Sequence, residues 1–596
     1  MSIFWYSVFV LAIIITCVSL KNAVKSIRQG EGFLRPLCIE IFALWLMILP
    51  EEWANGSSVN SAIRLPEAIL SSLLQVIGQV GNPNLSMVVV GDGKILTAIY
   101  RMLFMIVHLI LVVYFGGMIL QVLRESYQKL RLNLIKKDSI YIFSSVNEKT
   151  LRIAETIPKG KQLIFANVCD QDKEDHLKDI KKLNAIYSSE SIDNLINKRI
   201  LRIEKVEIFI FEKCESDNIS IVNALKDKIK DSGDKDIKDI RLFMEINSPS
   251  WSMYRSKDDY LPSNKITLSL IDTKESFAYD ILMKNSIFED YVLSAEGNKQ
   301  INILILGMND INLQLLKVML PLSQMPGYMP TFVIFDGGNN LDTLKGAMPE
   351  IFEKGYELGD SLYKIIYRED ISFNGQSFED QLDEFCQETT FAFVNVDDDI
   401  TNIEVAERLR GYIYRNSMEE DSKILLRLKN LSTDLWNMEG LKVVGTDNEY
   451  YSYESITASL IEKDAKELQQ KRQREKKERN PKHKIISWRE YCNNEYNRRS
   501  SYARTLSLKY KKMELNINNV EEGNKEFNED IWKMYEHMRW NVYTRCMGYH
   551  LMPKSYIGTG KEDDKNIRII AKVHKDLLPY DKLSKDEKDK DAIVRN

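Results

Sequence analysis

The sequence predicts an α/β protein with an α-helical membrane domain: three transmembrane helices, two tandem doubly wound parallel sheets, and a helical C-terminal domain. Three observations predict this. Apolar runs with basic flanks crowd the first 120 residues, strand and helix patterns alternate from about residue 138 to 460, and beyond 485 the period is helical. Of the 596 residues 28% are charged, yet the net charge is only −5, which excludes a nucleic-acid binder driven by bulk positive charge. Trp, Tyr and Phe total 58, enough for several cores, so disorder is excluded as the overall state. Seven scattered cysteines with no CxxC pair provide neither a disulfide framework nor a zinc site.

The membrane domain is assigned to residues 1–121, with spans at about 3–20, 36–53 and 96–120. The first run, Ile3 to Leu20, is uncharged and has neither the basic start nor the cleavage site of a secretory signal. The second contains Glu40 and ends at Pro50, Glu51 and Glu52; the third is interrupted only by Arg101 and His108. Basic residues follow the first run (Lys21, Lys25, Arg28, Arg35) and the third (Arg124, Lys129, Arg131, Lys136, Lys137). Both clusters lie on the cytoplasmic side if three spans cross the cell membrane with the N-terminus outside and the large C-terminal region cytoplasmic. Between the second and third runs, residues 66–79 read as a helix. Ile69, Leu73 and Ile77 make its apolar face, and Ser72, Gln75 and Gln79 its polar stripe. Such a helix either re-enters and lines a pore or lies on the outer surface. Glu40, Gln75, Gln79, Arg101 and His108 are the candidate pore-facing residues, because ionisable groups at membrane depth face a bundle interior or water. No TVGYG filter is present.

After a juxtamembrane linker at 122–137 the pattern shortens. Strands are expected at 139–144, 162–168, 183–187, 206–211, 240–246 and 266–271, and again at 301–306, 331–335, 363–366, 391–396, 423–428 and 441–444. The two sets match at a separation of about 160 to 185 residues, an internal duplication of a Rossmann-like unit with domains at 138–298 and 299–460. This layout after a pore-type segment resembles proteins with regulator-of-potassium-conductance (RCK) domains, whose units often bind nucleotides. The glycine fingerprint departs from that pattern: the first unit offers Ser144-Ser145-Val146-Asn147, and the second Gly307-Met308-Asn309-Asp310. Gly307, Asn309 and Asp336, the last at the end of the second strand, are the candidate cofactor residues for NAD or ATP. The alternative is a scaffold that has lost its ligand. No nucleophile elbow, P-loop or HExxH is present, so no enzyme is expected; Asp397-Asp398-Asp399 reads as a metal site or as a turn that starts a helix.

Residues 461–484 form a charged linker, expected to be solvated rather than packed. The domain at 485–596 is expected to bind ligand. Glu536-His537-Met538-Arg539-Trp540 with Gly548-Tyr549, and His574-Lys575-Asp576-Leu577-Leu578-Pro579-Tyr580-Asp581-Lys582-Leu583, resemble the two blocks of the ryanodine-receptor repeat domain over about 60 residues. Trp532, Glu536, Arg539 or Trp540, and Tyr543 recur at helical spacing, where aromatics stack a base and Arg539 or Arg545 pairs with phosphate. Arg498, Arg499, Tyr502 and Arg504 form a second basic-aromatic group. The candidate ligand residues are Trp532, Glu536, His537, Arg539, Trp540, Arg545, Tyr549, Tyr580, Arg498 and Tyr502. The alternative for Trp540 and His537 is a core role. The resemblance implies a membrane effector gated by a small nucleotide second messenger, as in prokaryotic antiviral systems. It would act as a homo-oligomeric ion channel or membrane-perturbing protein. A regulator or subunit of a cation transport system, sensing NAD or ATP, is the alternative.

Overall fold

A computed structural model of the chain describes residues 3–29, 34–55, 68–72, 74–76, 94–133, 138–196, 198–232, 238–246, 266–295, 297–353, 363–385, 388–416, 423–430, 440–492, 494–517 and 529–590. The chain divides into two compact units. One comprises Met1–Asp138, Ser145–Asn147 and Gln162–Leu195, and the other Ser139–Ser144, Glu148–Lys161 and Ile196–Asn596.

In the first unit α1 (Ile3–Gln29), α2 (Leu34–Asn55) and α3 (Lys94–Asn133) share a core of Ala12, Leu44, Met47, Phe104, Val107 and Leu111. Their outer faces are also apolar: Leu11, Ile14, Phe42, Met105, Leu109 and Val113 are exposed. A water-facing bundle of this composition would bury such a band. Among the described residues, Arg101–Ile119 is the one helical segment long and apolar enough to cross a membrane, and Val10–Ala23 is a shorter apolar helix. The α2 sequence carries Arg35, Glu40, Glu51 and Glu52. At 40 residues α3 is about 60 Å long. Most of the expected 122–137 linker is therefore a continuation of the third helix, a correction to the sequence reading. Near its end the Arg131 guanidinium donates to Asn184 O and Asn184 Oδ1, both at 2.9 Å. Residues 68–72 and 74–76 are helical, within the expected 66–79, and the Trp45 indole donates to Ser72 Oγ at 2.8 Å.

The parallel sheets follow. β1 (Ser139–Phe143) and α4 (Glu148–Thr156) belong to the second unit, while β2 (Gln162–Phe165), α5 (Asp170–Lys182) and β3 (Ile186–Tyr187) belong to the first, where β2 and β3 pair in parallel. In the second unit β1, β4 (Lys205–Ile210), β5 (Asp239–Glu245) and β6 (Ile266–Ile271) are parallel neighbours in that order, with α6 (Glu215–Ser232) linking β4 to β5. The second sheet lies wholly in this unit. Its elements are α7 (Thr273–Lys284), β7 (Val292–Leu293), β8 (Lys299–Leu306), α8 (Asp310–Leu322), β9 (Tyr328–Phe335) and β10 (Lys364–Arg368). They continue with α9 (Gln376–Phe385), β11 (Phe391–Val394), α10 (Asp399–Arg415), β12 (Lys423–Arg427) and β13 (Leu441–Val444). The order is β10-β9-β8-β11-β12-β13, parallel throughout, with β7 antiparallel against β8. The first strand thus sits centrally beside the second and fourth, the Rossmann winding. Alternation along β8 explains the layers: Ile301, Ile303 and Ile305 pack with α7 and α8, while Leu304 and Leu306 pack with α9 and α10.

The chain then turns helical, with α11 (Ser459–Arg479), α12 (Glu495–Ile517) and α13 (Glu529–Cys546). A small parallel pair, β14 (His550–Leu551) with β15 (Val573–His574), follows. These helices complete the core on the α7/α8 side of the second sheet, through Ile461, Ala465, Leu506, Tyr510, Val542 and Tyr543. The charged run is corrected accordingly. It forms α11 and buries Ile461, Ala465, Gln469 and Gln473, a stripe at four-residue spacing that its composition hides.

Candidate ligand site

Two places in the second unit correspond to the predicted nucleotide sites. The first is the switch point of the second sheet, at the carboxyl ends of β8 and β11. Gly307 has φ +87°, and a Cβ there would sit 2.4 Å from Asn395 O. Its glycine therefore serves a contact with the chain's own backbone. Asn309 caps α8, its Oδ1 accepting from Ile311 N (3.1 Å) and Asn312 N (3.2 Å), while its Nδ2 donates to Asn395 O at 3.0 Å. The Asn395 amide in turn donates to Asn309 Oδ1 and Asn312 Oδ1, and Arg427 donates to Asn395 Oδ1. The helix N-terminus that would hold a pyrophosphate is thus capped by side chains. Asp336 is buried; it accepts from the Tyr367 hydroxyl at 2.8 Å, Asn340 Nδ2 at 2.9 Å and Gly338 N at 3.1 Å. Gly307, Asn309 and Asp336 thus lie at the strand ends with their hydrogen bonds made to the chain's own groups. Asp398 likewise caps α10 through Ile400 N and Thr401 N, which settles the Asp397–Asp399 run as a helix start.

The second place is a cavity of about 470 Å³ in the helical C-terminal region. It is walled by Arg472 of α11, by Tyr491 ahead of α12, by Ser500, Ser501 and Arg504 of α12, by Glu536, His537, Arg539 and Trp540 of α13, and by Arg568, His574, Lys575, Asp576, Leu583 and Glu587. Glu536 is 1% exposed and lies at the centre of the charge cluster. Arg539 Nε donates to both its oxygens at 3.1 Å, Lys511 Nζ to Oε2 at 3.0 Å, and Arg504 Nε lies 3.5 Å from Oε1. Helical spacing builds the Glu536–Arg539 contact, one turn apart on α13. Burial alone would raise the Glu536 carboxyl, but the charges of Arg539, Lys511 and Arg504 outweigh it and hold it far below the usual carboxylate range. Burial pushes the Lys511 ammonium down and outweighs the Glu536 carboxylate, which raises it; Arg539 and Arg504 add to the lowering.

Arg539 (2% exposed), Arg504 (7%) and Lys511 (0%) are thus buried together around the Glu536 carboxylate. The walls also carry Arg472, Arg568 and Lys575 with Asp576 and Glu587. An aromatic edge lies nearby: the half-buried Trp540 packs edge-on against His574 at 4.9 Å, and His537 lies 5.7 Å from Trp540. His537 Nε2 is 2.8 Å from Leu578 O, and His574 Nδ1 accepts from Asp576 N–H at 3.2 Å.

Of the predicted ligand residues, Glu536, His537, Arg539 and Trp540 come together here. Tyr580 stands behind them, 6.1 Å from the His537 ring. The others are not among the residues that wall this cavity. Trp532 and Tyr502 lie in the core, Tyr549 packs on Tyr496, and Arg545 pairs with Glu350 at 3.2 Å. Arg498 bonds Glu495 and donates to Leu270 O at 2.9 Å. Arg472, Tyr491, Ser500, Ser501 and Arg568 were not foreseen; Arg472 was hidden in the charge run. Among the membrane-domain candidates, Glu40 and His108 are buried within the bundle, Arg101 is half-buried, and Gln75 donates to Glu52. Gln79 lies outside the described residues.

No known protein family matches the chain, and no curated protein does. Among solved structures, the chain is similar to the crystal structure of a point mutant of GsuK. The identity is 12% and the TM-score 0.32, over 72% of this chain and 98% of that one. A likeness at that level bears on neither ligand nor activity.

Proposed function

We propose that this chain is a membrane-anchored receptor whose C-terminal cavity binds a small anionic, base-bearing ligand of the nucleotide class. The observation that carries the reading is the cavity's cluster of buried cations, Arg504, Lys511 and Arg539 around the Glu536 carboxylate, with the half-buried Trp540 in its wall. Phosphate is the ligand group that guanidinium and ammonium clusters bind, and the Trp540 ring offers a face for a base. A volume of about 470 Å³ lies in the range of small-molecule sites.

In this reading the ligand binds two conformations unequally and so shifts a homo-oligomeric bundle of α1–α3 toward an ion-conducting or membrane-perturbing form. The exposed apolar band on these helices supports a lipid setting, and the sequence pattern supports three spans with a cytoplasmic C-terminal region. The ryanodine-receptor-repeat character of residues 485–596 and a role in antiviral defence draw their support from sequence resemblance. NAD or ATP at the second sheet is the less favoured reading, because Asn309 and Asp336 are already satisfied there. On this proposal the chain acts as a receptor and catalyses nothing.

Thermal unfolding of the full-length protein with linear and cyclic nucleotides tests the site. Stabilisation should appear in the wild type and vanish in Arg539→Ala. Stabilisation retained in that variant would move the site elsewhere.

A further inference from the structure

Helix α12 uses two opposite faces for two different contacts. Ser500, Ser501 and Arg504 line the cavity, and Lys511 Nζ donates to Glu536 of its wall at 3.0 Å. Arg498, Arg499, Lys509 and Tyr510 instead bond α7 or the strand that precedes it. At 3.6 residues per turn the two sets fall on opposite sides of the helix. One side of α12 therefore meets the cavity and the other meets α7.

The place of α7 gives that contact its interest. It leaves β6 of the first sheet and leads to β7 and β8 of the second, so it joins the two sheets. α12 clasps it at both ends. In the first turn of α7, Glu275 pairs with Arg499, whose Nε also donates to Glu495 Oε1 at 3.0 Å. Arg498 pairs with the same Glu495 and donates to Leu270 O of β6 at 2.9 Å. All four charged groups are buried, and parting a buried charge from its partner is strongly disfavoured. In the last turn, Lys509 Nζ donates to Met283 O at 2.6 Å, and the Tyr510 hydroxyl donates to Leu282 O. These carbonyls have no donor further along α7, so α12 supplies the missing partners. Between the two ends the Tyr502 ring meets Tyr279 edge-on at 6.1 Å. Held in this way, α7 and α12 move together.

From this geometry we infer that α12 is the element through which the cavity regulates the junction of the two sheets. An anion held against Ser500, Ser501 and Arg504 restrains α12, and through the clasp it restrains α7. The inference rests on the cavity being an anion site, as proposed above. Coupling of this kind is reciprocal, so loosening the clasp weakens the hold on the anion.

Hydrogen exchange of the full-length protein in detergent micelles tests it, with and without inorganic pyrophosphate, alongside calorimetric titration of the same probe. In the wild type, bound pyrophosphate should slow exchange several-fold at residues 273–284 of α7 as well as in α13. A clasp that only holds the fold together would leave exchange in α7 the same with and without the probe. Lys509→Met removes one end of the clasp and leaves the cavity residues in place. It should bind pyrophosphate more weakly, and at saturation slow α13 but slow α7 less. Should Lys509→Met not fold, Tyr510→Phe, which loses a single hydroxyl, serves with the same expected results. Binding to the wild type without slowing in α7 would overturn the inference and leave the cavity reading standing. Full slowing of α7 in the variant would overturn it too, because the signal would then bypass the clasp. Failure of pyrophosphate to bind the wild type would overturn the inference together with the cavity reading.

Discussion

The switch point of the second sheet and the C-terminal cavity are both places where a nucleotide would be sought, and they are built in opposite ways. At the switch point Asn309, Asn312, Asn395 and Arg427 bond one another, and Asp336 accepts three hydrogen bonds from its own surroundings. In the cavity, three buried cations crowd one carboxylate beside a 470 Å³ void. The first place turns its polar atoms onto its own chain, and the second gathers cations along the wall of an open cavity. A fold that usually binds nucleotide is thus a weaker guide than the balance of donors, acceptors and charge at a given site.

The largest expected effect separates the two places by one variant each. Arg539→Ala removes the bidentate partner of Glu536 and should cost about 3–5 kcal/mol of stability, as for breaking a buried ion pair. It should also abolish nucleotide stabilisation, both effects being read in one unfolding series. Asp336→Ala, at the satisfied site, should leave the nucleotide response intact while losing about 1–3 kcal/mol from the stranded Tyr367 and Asn340.

Trp540→Ala sharpens the distinction within the cavity. Loss of a stacking face should weaken a nucleotide by about 1–3 kcal/mol, whereas binding of inorganic pyrophosphate should change little. Calorimetric titration with both probes reads the difference. Equal losses for both would place the ring away from the base.

The smallest effect expected is that of pH on the cavity. The Glu536 carboxyl titrates far below its ordinary value of 4.5, so its contribution is complete above that value and is lost as pH falls below it. Wild type should therefore lose midpoint temperature on acidification below about pH 4.5 more steeply than Glu536→Gln. Profiles with the same slope would show that the three cations do not act through this carboxylate.

Much of the fold was legible because parallel strands buried on both faces read as short apolar runs. INILIL at 301–306 and FAFV at 391–394 announce themselves, and each of the twelve expected strands overlaps an observed one. The long α3 was less legible, since the helix runs through Gly116-Gly117 and on from apolar into charged sequence with no proline before Asn133. In α11 four buried positions alternate with charges, so composition concealed a packed face. The site was half legible. The Glu536–Trp540 block lies on one helix and can be read locally, whereas Arg472, Tyr491, Ser500 and Arg568 reach the cavity from other elements, and only tertiary packing places them. Arg498, Tyr502 and Arg545 show the reverse: residue types suited to ligands, used instead to bind helices to the body.

Nucleotide-induced thermal shift, measured on the full-length wild type, Trp540→Ala and Asp336→Ala with the same linear and cyclic nucleotides, tests the central claim most directly. The account predicts a shift in wild type and in Asp336→Ala that is reduced in Trp540→Ala. A full shift in Trp540→Ala with none in Asp336→Ala would contradict it and return the ligand to the second sheet.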